Sequence, residues 1–307
     1  MDYEQLLDPD SLEFLNWLSS RGPDDVTALS PFEQRAVFEA VLGALQQPRP
    51  EGIVAEDMRA GDVPVRVFSA GLPTRTVVYF HGGGFVMGSL DSHDDLCAEF
   101  CAQTGYRVVS VAYRLAPEHR HPAAYEDSLT ATRWALETFE APVVLVGDSA
   151  GGALSAAVAK TLLSETDQVL GQVLIYPLLG GEPDQGSFLE HAQAPMLTTA
   201  QVRYYLGIRH GDFGPREDPT SDPLTGDDFA GLPPVVVFTA DIDPLRDDGS
   251  AYVQKIVDAG GTAHWVNEEK LVHGYLCGRH RIARAASSFE RITIAIEALG
   301  QEIWPYD

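Results

Sequence analysis

Ala141-Pro142-Val143-Val144-Leu145-Val146 leads directly into Gly147-Asp148-Ser149-Ala150-Gly151-Gly152, and a helical pattern, Ala150–Leu163, begins at once. The valine-rich run is short and unbroken, as a strand buried on both faces of a parallel sheet requires. A G-x-S-x-G turn between such a strand and a helix forces the serine into a strained backbone conformation. The flanking glycines avoid the clashes of so tight a turn, and the serine Oγ is lifted above the sheet. It also sits at a helix N-terminus, where the dipole favours developing negative charge. A phosphate-binding turn would look different, because the spacing is not that of a Walker A loop and no lysine follows.

Upstream, Thr76–Phe80 reads as a strand that ends in His81-Gly82-Gly83-Gly84-Phe85. Three consecutive glycines expose backbone N–H groups with no side chain in the way. In acyl transfer, donors from such a loop and from the residue after the nucleophile hold the tetrahedral oxyanion. Here they are Gly83, Gly84 and Ala150. His81 precedes the serine in the chain and reads as a residue that holds the loop. Phe85, Tyr204 and Tyr205 are candidates for the substrate pocket, although helix packing accounts for the two tyrosines equally well.

Further strands are predicted at Val63–Phe68, Arg107–Val111, Val143–Val146, Gln172–Tyr176, Val235–Thr239 and Thr262–Val266. Helices are predicted at Asp94–Gln103, Tyr125–Phe139 and Gly249–Ala259. Alternation of this kind predicts an α/β fold built on a doubly wound, mostly parallel sheet. Residues 1–50 read as helical. Leu12, Leu15, Trp17 and Leu18 form one stripe, and Phe32, Val37, Phe38, Val41, Leu42 and Leu45 another, behind a Ser30-Pro31-Phe32-Glu33 capping box. Between Pro177 and Leu232 the rhythm breaks into turn residues and one helical run, Thr199–Tyr205. An insertion of that size after a strand is usually functional.

A base and an acid are expected after later strands. The strand Val235–Thr239 is followed by four carboxylates, Asp241, Asp243, Asp247 and Asp248, which spacing alone does not separate. After Thr262–Val266, Leu271-Val272-His273-Gly274-Tyr275 offers a histidine in a loop. His264 falls inside a strand and reads as structural, and His280 among arginines reads as a solvated surface residue.

His81-Gly82-Gly83-Gly84, Tyr113-Arg114-Leu115-Ala116-Pro117-Glu118-His119, Gly147-Asp148-Ser149-Ala150-Gly151-Gly152, Asp243-Pro244-Leu245-Arg246-Asp247 and His273-Gly274 stand in one order and register. Together they resemble the hormone-sensitive-lipase family of α/β-hydrolases, which includes bacterial family IV carboxylesterases. The resemblance covers most of the chain after about Arg75. It implies an α/β-hydrolase fold with a helical cap, catalysis by Ser149, Asp243 and His273, and no cofactor or metal. It further implies that residues 1–50 and 178–227 form the cap, with 51–177 and 228–307 as the two parts of the core. Tyr275 stands where phenylalanine is common in the family, and Asp241 where glutamate is common.

The chemistry expected is hydrolysis of esters with short to medium acyl chains through an acyl-enzyme. The same machinery serves amide or peptide hydrolysis, since a triad does not distinguish the leaving groups. Plant gibberellin receptors resemble the family but have lost the catalytic histidine, so His273 argues against a binding-only role.

Composition narrows the partners. The chain of 307 residues is 45% hydrophobic and 21% charged, an ordinary globular balance, but its net charge is −24. Such a surface repels phosphate backbones and anionic lipid, which excludes nucleic acid and makes membrane docking unfavourable. The partner expected is a small-molecule ester, and a homodimer is allowed. The first residues are acidic, without the basic start and apolar run of a secretory signal. Three cysteines, Cys97, Cys101 and Cys277, make no disulfide framework, and a reduced cytoplasmic setting is the expectation.

Overall fold

The apolar runs pair into strands β1 (Val54–Ala60), β2 (Val63–Ser69), β3 (Thr76–Phe80), β4 (Arg107–Val111), β5 (Val143–Asp148), β6 (Val169–Ile175), β7 (Val235–Ile242) and β8 (Ala263–Val272). They form one eight-stranded sheet in the order β1-β2-β4-β3-β5-β6-β7-β8. Its first two pairings, β1 with β2 and β2 with β4, are antiparallel, and the rest are parallel. The computed structural model describes residues 1–23, 25–211 and 217–306.

Side chains alternate across the central strands, as the two-residue repeat of a strand requires. Val77, Tyr79, Val144 and Val146 enter one core, with Phe100 and Cys97 of α4 (Asp94–Thr104) and Phe289 and Ile292 of α10 (Ala283–Gly300). Val78, Phe80, Val143 and Leu145 enter the other, with Leu129 of α5 (Ala123–Phe139) and Leu154 and Val158 of α6 (Ala150–Leu162). Each fully buried aliphatic or aromatic side chain stabilises the fold by about 1.5–3 kcal/mol, so these two layers fix the central strands.

Several boundaries differ from the sequence expectation. Strand β1 was not predicted: Val54-Ala-Glu-Asp-Met-Arg-Ala lies at the sheet edge, mostly solvated, and carries no buried-strand pattern. Strand β8 extends to Val272, well past Val266, because its mixed polar residues face solvent along the other edge. The helix after β7, α9 (Arg246–Asp258), starts earlier than predicted.

The N-terminal helices are α1 (Tyr3–Leu6), α2 (Pro9–Ser19) and α3 (Pro31–Gly43). The capping box opens α3, with Glu33 N–H donating to Ser30 Oγ and Ser30 N–H donating to Glu33. Phe32, expected in the buried stripe, is 77% exposed, because the first turn of α3 points it outward. The insertion after β6 carries α7 (Gly186–Glu190) and α8 (Thr199–His210), and its described residues contain no strand. Gln34 Nε2 on α3 donates to Tyr204 Oη on α8 (2.8 Å), and Phe38 packs with Tyr204, Tyr205 and Ile208. Among the described residues, no helix is long and apolar enough to cross a membrane.

Order in the sheet locates the site. From β3 the chain crosses to β4 on one side and then to β5 on the other, so the strand order reverses around β3 and β5. Open α/β sheets bind ligands at the carboxyl ends of the strands beside such a reversal.

Candidate active site

Register brings the motifs together. Phe80 pairs with Gly147, so the loop after β3 emerges beside the elbow after β5. Ile242 pairs with Val272, so the next residues, Asp243 and His273, leave the sheet as neighbours. The aspartate and histidine are far apart in sequence, and this register alone makes them adjacent.

Ser149 has φ 53° and ψ −115°, a conformation that side chains rarely adopt and that the elbow imposes. Its flanking glycines are obligatory. A Cβ on Gly151 would lie 1.9 Å from the carbonyl oxygen of Phe80, and one on Gly147 would lie 2.3 Å from that of Gly151.

His273 Nε2 lies 2.9 Å from Ser149 Oγ, and its Nδ1 lies 2.7 Å from Oδ2 of Asp243. Asp243 is completely buried, and its Oδ1 accepts the N–H of Leu245 (2.9 Å). With Nδ1–H donated to the carboxylate, Nε2 presents a lone pair to the serine hydroxyl. The ring of Tyr176 packs 4.8 Å from that of His273. This chain of groups can draw a proton from Oγ as the oxygen attacks a carbonyl.

The other three carboxylates are engaged elsewhere. Asp241 accepts from Asn267 Nδ2 (2.9 Å), Asp247 from the N–H of Ser187 (2.8 Å), and Asp248 from the N–H groups of Leu179 (2.9 Å) and Gly181 (3.2 Å). Asp247 and Asp248 thus hold the ends of the chain segment that enters the insertion.

The glycine loop turns on its own carbonyl: Gly83 O accepts from Val86 N–H (3.1 Å) and Met87 N–H (2.9 Å). Gly83 and Gly84 adopt φ 118° and 62°, and a Cβ on Gly84 would lie 2.9 Å from the Tyr205 ring. Among the described residues no protein group accepts the N–H of Gly83 or Gly84. Ala150, as the first residue of α6, has no partner for its N–H within the helix. His81 is buried, and burial lowers it to about 4, so it is neutral near pH 7. It stacks on Tyr113 (4.3 Å between rings), whose hydroxyl donates to the His81 carbonyl.

Sequence reasoning missed Asp148, the variable position of the elbow motif. Its fully buried carboxylate accepts from Tyr79 Oη (2.6 Å) and the N–H of Gly82 (2.8 Å), so it ties the elbow to the glycine loop. Burial raises this carboxyl, against the pull of the Tyr79 hydrogen bond.

A cavity of about 340 Å³ opens over Ser149, mostly apolar, and Tyr205 is part of its wall. Phe85 and Tyr204 do not line it, which corrects the sequence expectation. Phe85 turns into the core, 1% exposed, under the buried guanidinium of Arg209 (3.6 Å to the ring centre), and Tyr204 faces Gln34. His264 stacks on Tyr306 (3.9 Å between rings), away from the site. His280 is an exposed surface residue, as expected, with Nε2 2.8 Å from Glu99 Oε1.

Among the described residues, the one cluster with metal-ligand geometry is Asp95, Glu99 and His280. Its carboxylates are already taken by Arg279, at 2.7 Å from Asp95 and 2.8 Å from Glu99. A guanidinium so placed supplies the positive charge that a cation would otherwise bring.

Comparison with known proteins agrees with this architecture. A family model described as alpha/beta hydrolase fold matches residues 77–277. The chain is 36% identical over 231 residues to Esterase LipI of Mycobacterium tuberculosis, covering 73% of this chain and 72% of that one. It is 30% identical over 294 residues to an ethyl acetate hydrolase of Pseudomonas putida, covering 90% and 92%. Among solved structures, a thermostable esterase from Pseudomonas putida superposes with a TM-score of 0.88 at 25% identity, over 98% of each chain.

Proposed function

The chain belongs to the α/β-hydrolases of the hormone-sensitive-lipase family and is a carboxylic-ester hydrolase; from that premise we propose that Ser149, His273 and Asp243 carry the reaction through an acyl-enzyme. The observation that supports the assignment is the continuous hydrogen-bonded chain from Ser149 Oγ through His273 to Asp243.

Ser149 Oγ attacks the ester carbonyl while His273 Nε2 takes its proton. Asp243 holds the ring in the required tautomer and stabilises the imidazolium. The carbonyl oxygen becomes an oxyanion received by the N–H groups of Gly83, Gly84 and Ala150, each such donor supplying about 2.7–4 kcal/mol in the transition state. His273 returns the proton to the leaving alkoxide, and a water then releases the acid by the same steps in reverse.

Residues 1–50 and 178–227 act together as the cap. The Gln34–Tyr204 hydrogen bond and the Phe38–Tyr205 cluster support that grouping. A cavity of about 340 Å³ suits esters of short to medium acyl length. A net charge of −24 favours neutral substrates over anionic ones.

A fluorophosphonate probe should label the wild-type protein at Ser149 and leave Ser149→Ala and His273→Ala unlabelled. An unlabelled wild-type protein that still bound small ligands would replace this reading with a binding-only one. Matched p-nitrophenyl esters and anilides separate esterase from amidase, and the ester series should peak at short to medium chains.

A further inference from the structure

The glycine loop is fastened at its start, where the Gly82 N–H donates to Asp148, and it turns on the Gly83 carbonyl. The arm that follows, Phe85–Met87, is buried, so its carbonyls need donors. Phe85 O takes the N–H of Ala116 (2.9 Å). Val86 O takes Nε–H of Arg35 (2.7 Å), a residue of α3 that is distant in sequence.

The same guanidinium donates through Nη2 to the carbonyl oxygen of Ala116 (2.8 Å), so it ties the arm to the segment that already holds Phe85. Among the described residues, neither the Val86 nor the Ala116 carbonyl accepts any other hydrogen bond. A guanidinium only donates and a carbonyl only accepts, so these contacts have one possible direction. The outer side of the fork meets Glu118, at 2.9 Å from Nη1 and 2.6 Å from Nη2. That carboxylate is exposed, and so wet an ion pair stabilises little by itself. The buried carbonyl contacts are the part with structural consequence.

A displacement of this arm is passed to the oxyanion donors. The N–H groups of Val86 and Met87 both donate to Gly83 O, and a Cβ on Gly83 would lie 2.4 Å from Met87 O, so the two arms of the turn touch. Packing runs the same way. Val86, Met87 and Ala116 form one buried cluster with Tyr205, and Phe38, one turn along α3 from Arg35, packs against it. Gly83, Gly84 and Met87 line the cavity, whereas Arg35 lies off its wall.

We propose that Arg35 is a positioning residue for the reaction: reaching from α3, it holds the Phe85–Met87 arm, and through it the N–H groups of Gly83 and Gly84, where the oxyanion forms. Arg35 touches no substrate and moves no proton. The inference rests on the acyl-transfer reading and on Gly83 and Gly84 as oxyanion donors. Its consequence is that α3 serves the transition state as well as covering the cavity.

The test pairs kcat and KM on p-nitrophenyl butyrate with inhibition by an alkyl trifluoromethyl ketone and its matched methyl ketone. The trifluoromethyl ketone takes up Ser149 Oγ at its carbonyl carbon, its π pair becoming the oxyanion and the serine proton passing to His273. The methyl ketone stays trigonal and reports ground-state binding. Arg35→Met keeps the aliphatic stem without its donors, and should lower kcat about 10-fold with KM within about 2-fold. That is less than the roughly 10²–10³-fold loss on deleting an oxyanion donor, because the loop shifts and is not removed. The trifluoromethyl ketone should weaken by the same factor as kcat, and the methyl ketone should not. Arg35→Lys has one ammonium for two carbonyls and should fall between. Glu118→Gln leaves both carbonyl contacts and should match wild type. An unchanged kcat and ketone ratio in Arg35→Met, or a rise in KM alone, overturns the proposal whatever the melting temperature does. Equal loss in Glu118→Gln overturns it too, since the ion pair would then hold the loop. If Arg35→Met does not accumulate, Arg35→Lys is held to the same two criteria. No difference between the two ketones in wild type would remove the oxyanion reading itself, and no ester hydrolysis the enzyme reading.

Discussion

The N–H of Gly82 donates to Oδ1 of Asp148 across 2.8 Å, so the residue before Ser149 anchors the loop that faces it. Tyr79 donates to the same oxygen, and both donors lose their buried acceptor if the carboxylate is removed. Each orphaned donor costs about 1–3 kcal/mol. Asp148→Ala should therefore lower the melting temperature and let the glycine loop drift. A shift of that loop weakens oxyanion binding without touching Ser149 or His273. We expect kcat to fall about 10–100-fold with KM nearly unchanged, measured on a p-nitrophenyl ester. A drop in KM-dependent binding alone, with kcat intact, would contradict the anchoring role.

Backbone contact at the elbow gives a sharper prediction. In Gly151→Ala the new methyl meets the Phe80 carbonyl at 1.9 Å, and backbone cannot rotate away as a side chain can. The variant should lose more than about 4 kcal/mol and fail to accumulate as soluble protein. Gly43→Ala, at the end of α3, meets no atom within 4 Å and should be neutral or gain up to about 1 kcal/mol. Urea unfolding of the pair separates a steric requirement from a general intolerance of substitution.

The same contact explains what could be read from sequence. Glycine positions in the elbow and the loop report backbone geometry directly, so Ser149, Gly83, Gly84 and Ala150 stood out. Asp243 did not separate from Asp241, Asp247 and Asp248 by spacing, because the deciding fact is the Ile242–Val272 register between two strands. Asp148 was invisible because its significance lies in which atoms it meets across the sheet end. Phe85 was misjudged as a pocket residue, since its place beside the glycines gives no hint that Arg209 covers its ring. Strand β1 was missed because an edge strand with both faces wet lacks a hydrophobic signal.

Arg279 should be the most expensive surface-remote residue to truncate. It is 6% exposed and pairs with both Asp95 and Glu99. Burial alone would raise the Glu99 carboxyl, but the hydrogen bond and charge of Arg279 outweigh it and hold it below its ordinary value. Arg279→Met leaves Asp95 and Glu99 without their guanidinium, with only His280 still beside Glu99, and should cost about 3–5 kcal/mol at neutral pH. A depressed carboxyl contributes stability above its unfolded value and loses it as pH falls. The gap between wild type and variant should therefore narrow below about pH 4.5, the ordinary glutamate range. A gap that is constant with pH would mean that packing, not charge, is what Arg279 supplies.

Asp248 should show the opposite dependence. Its carboxyl is fully buried, and burial pushes it up to about 7 against the pull of the N–H groups of Leu179 and Gly181, with the nearby charge of Asp243 adding to the rise. The folded protein thus holds this proton more tightly than the unfolded chain does. Below about pH 4 both states are protonated and the group contributes nothing to the pH slope. Between about 4 and 7 the unfolded chain releases the proton first, so stability falls as pH rises. Above 7 the full penalty is present, about 4 kcal/mol if all of the shift is expressed. Asp248→Asn cannot ionise, so its melting temperature relative to wild type should climb from pH 4.5 to about pH 7 and level off above it. The slope belongs to this one group, because every other titrating residue is common to both proteins. Parallel curves would show that Asp248 stays ionised throughout and that its backbone donors, not its burial, decide its charge.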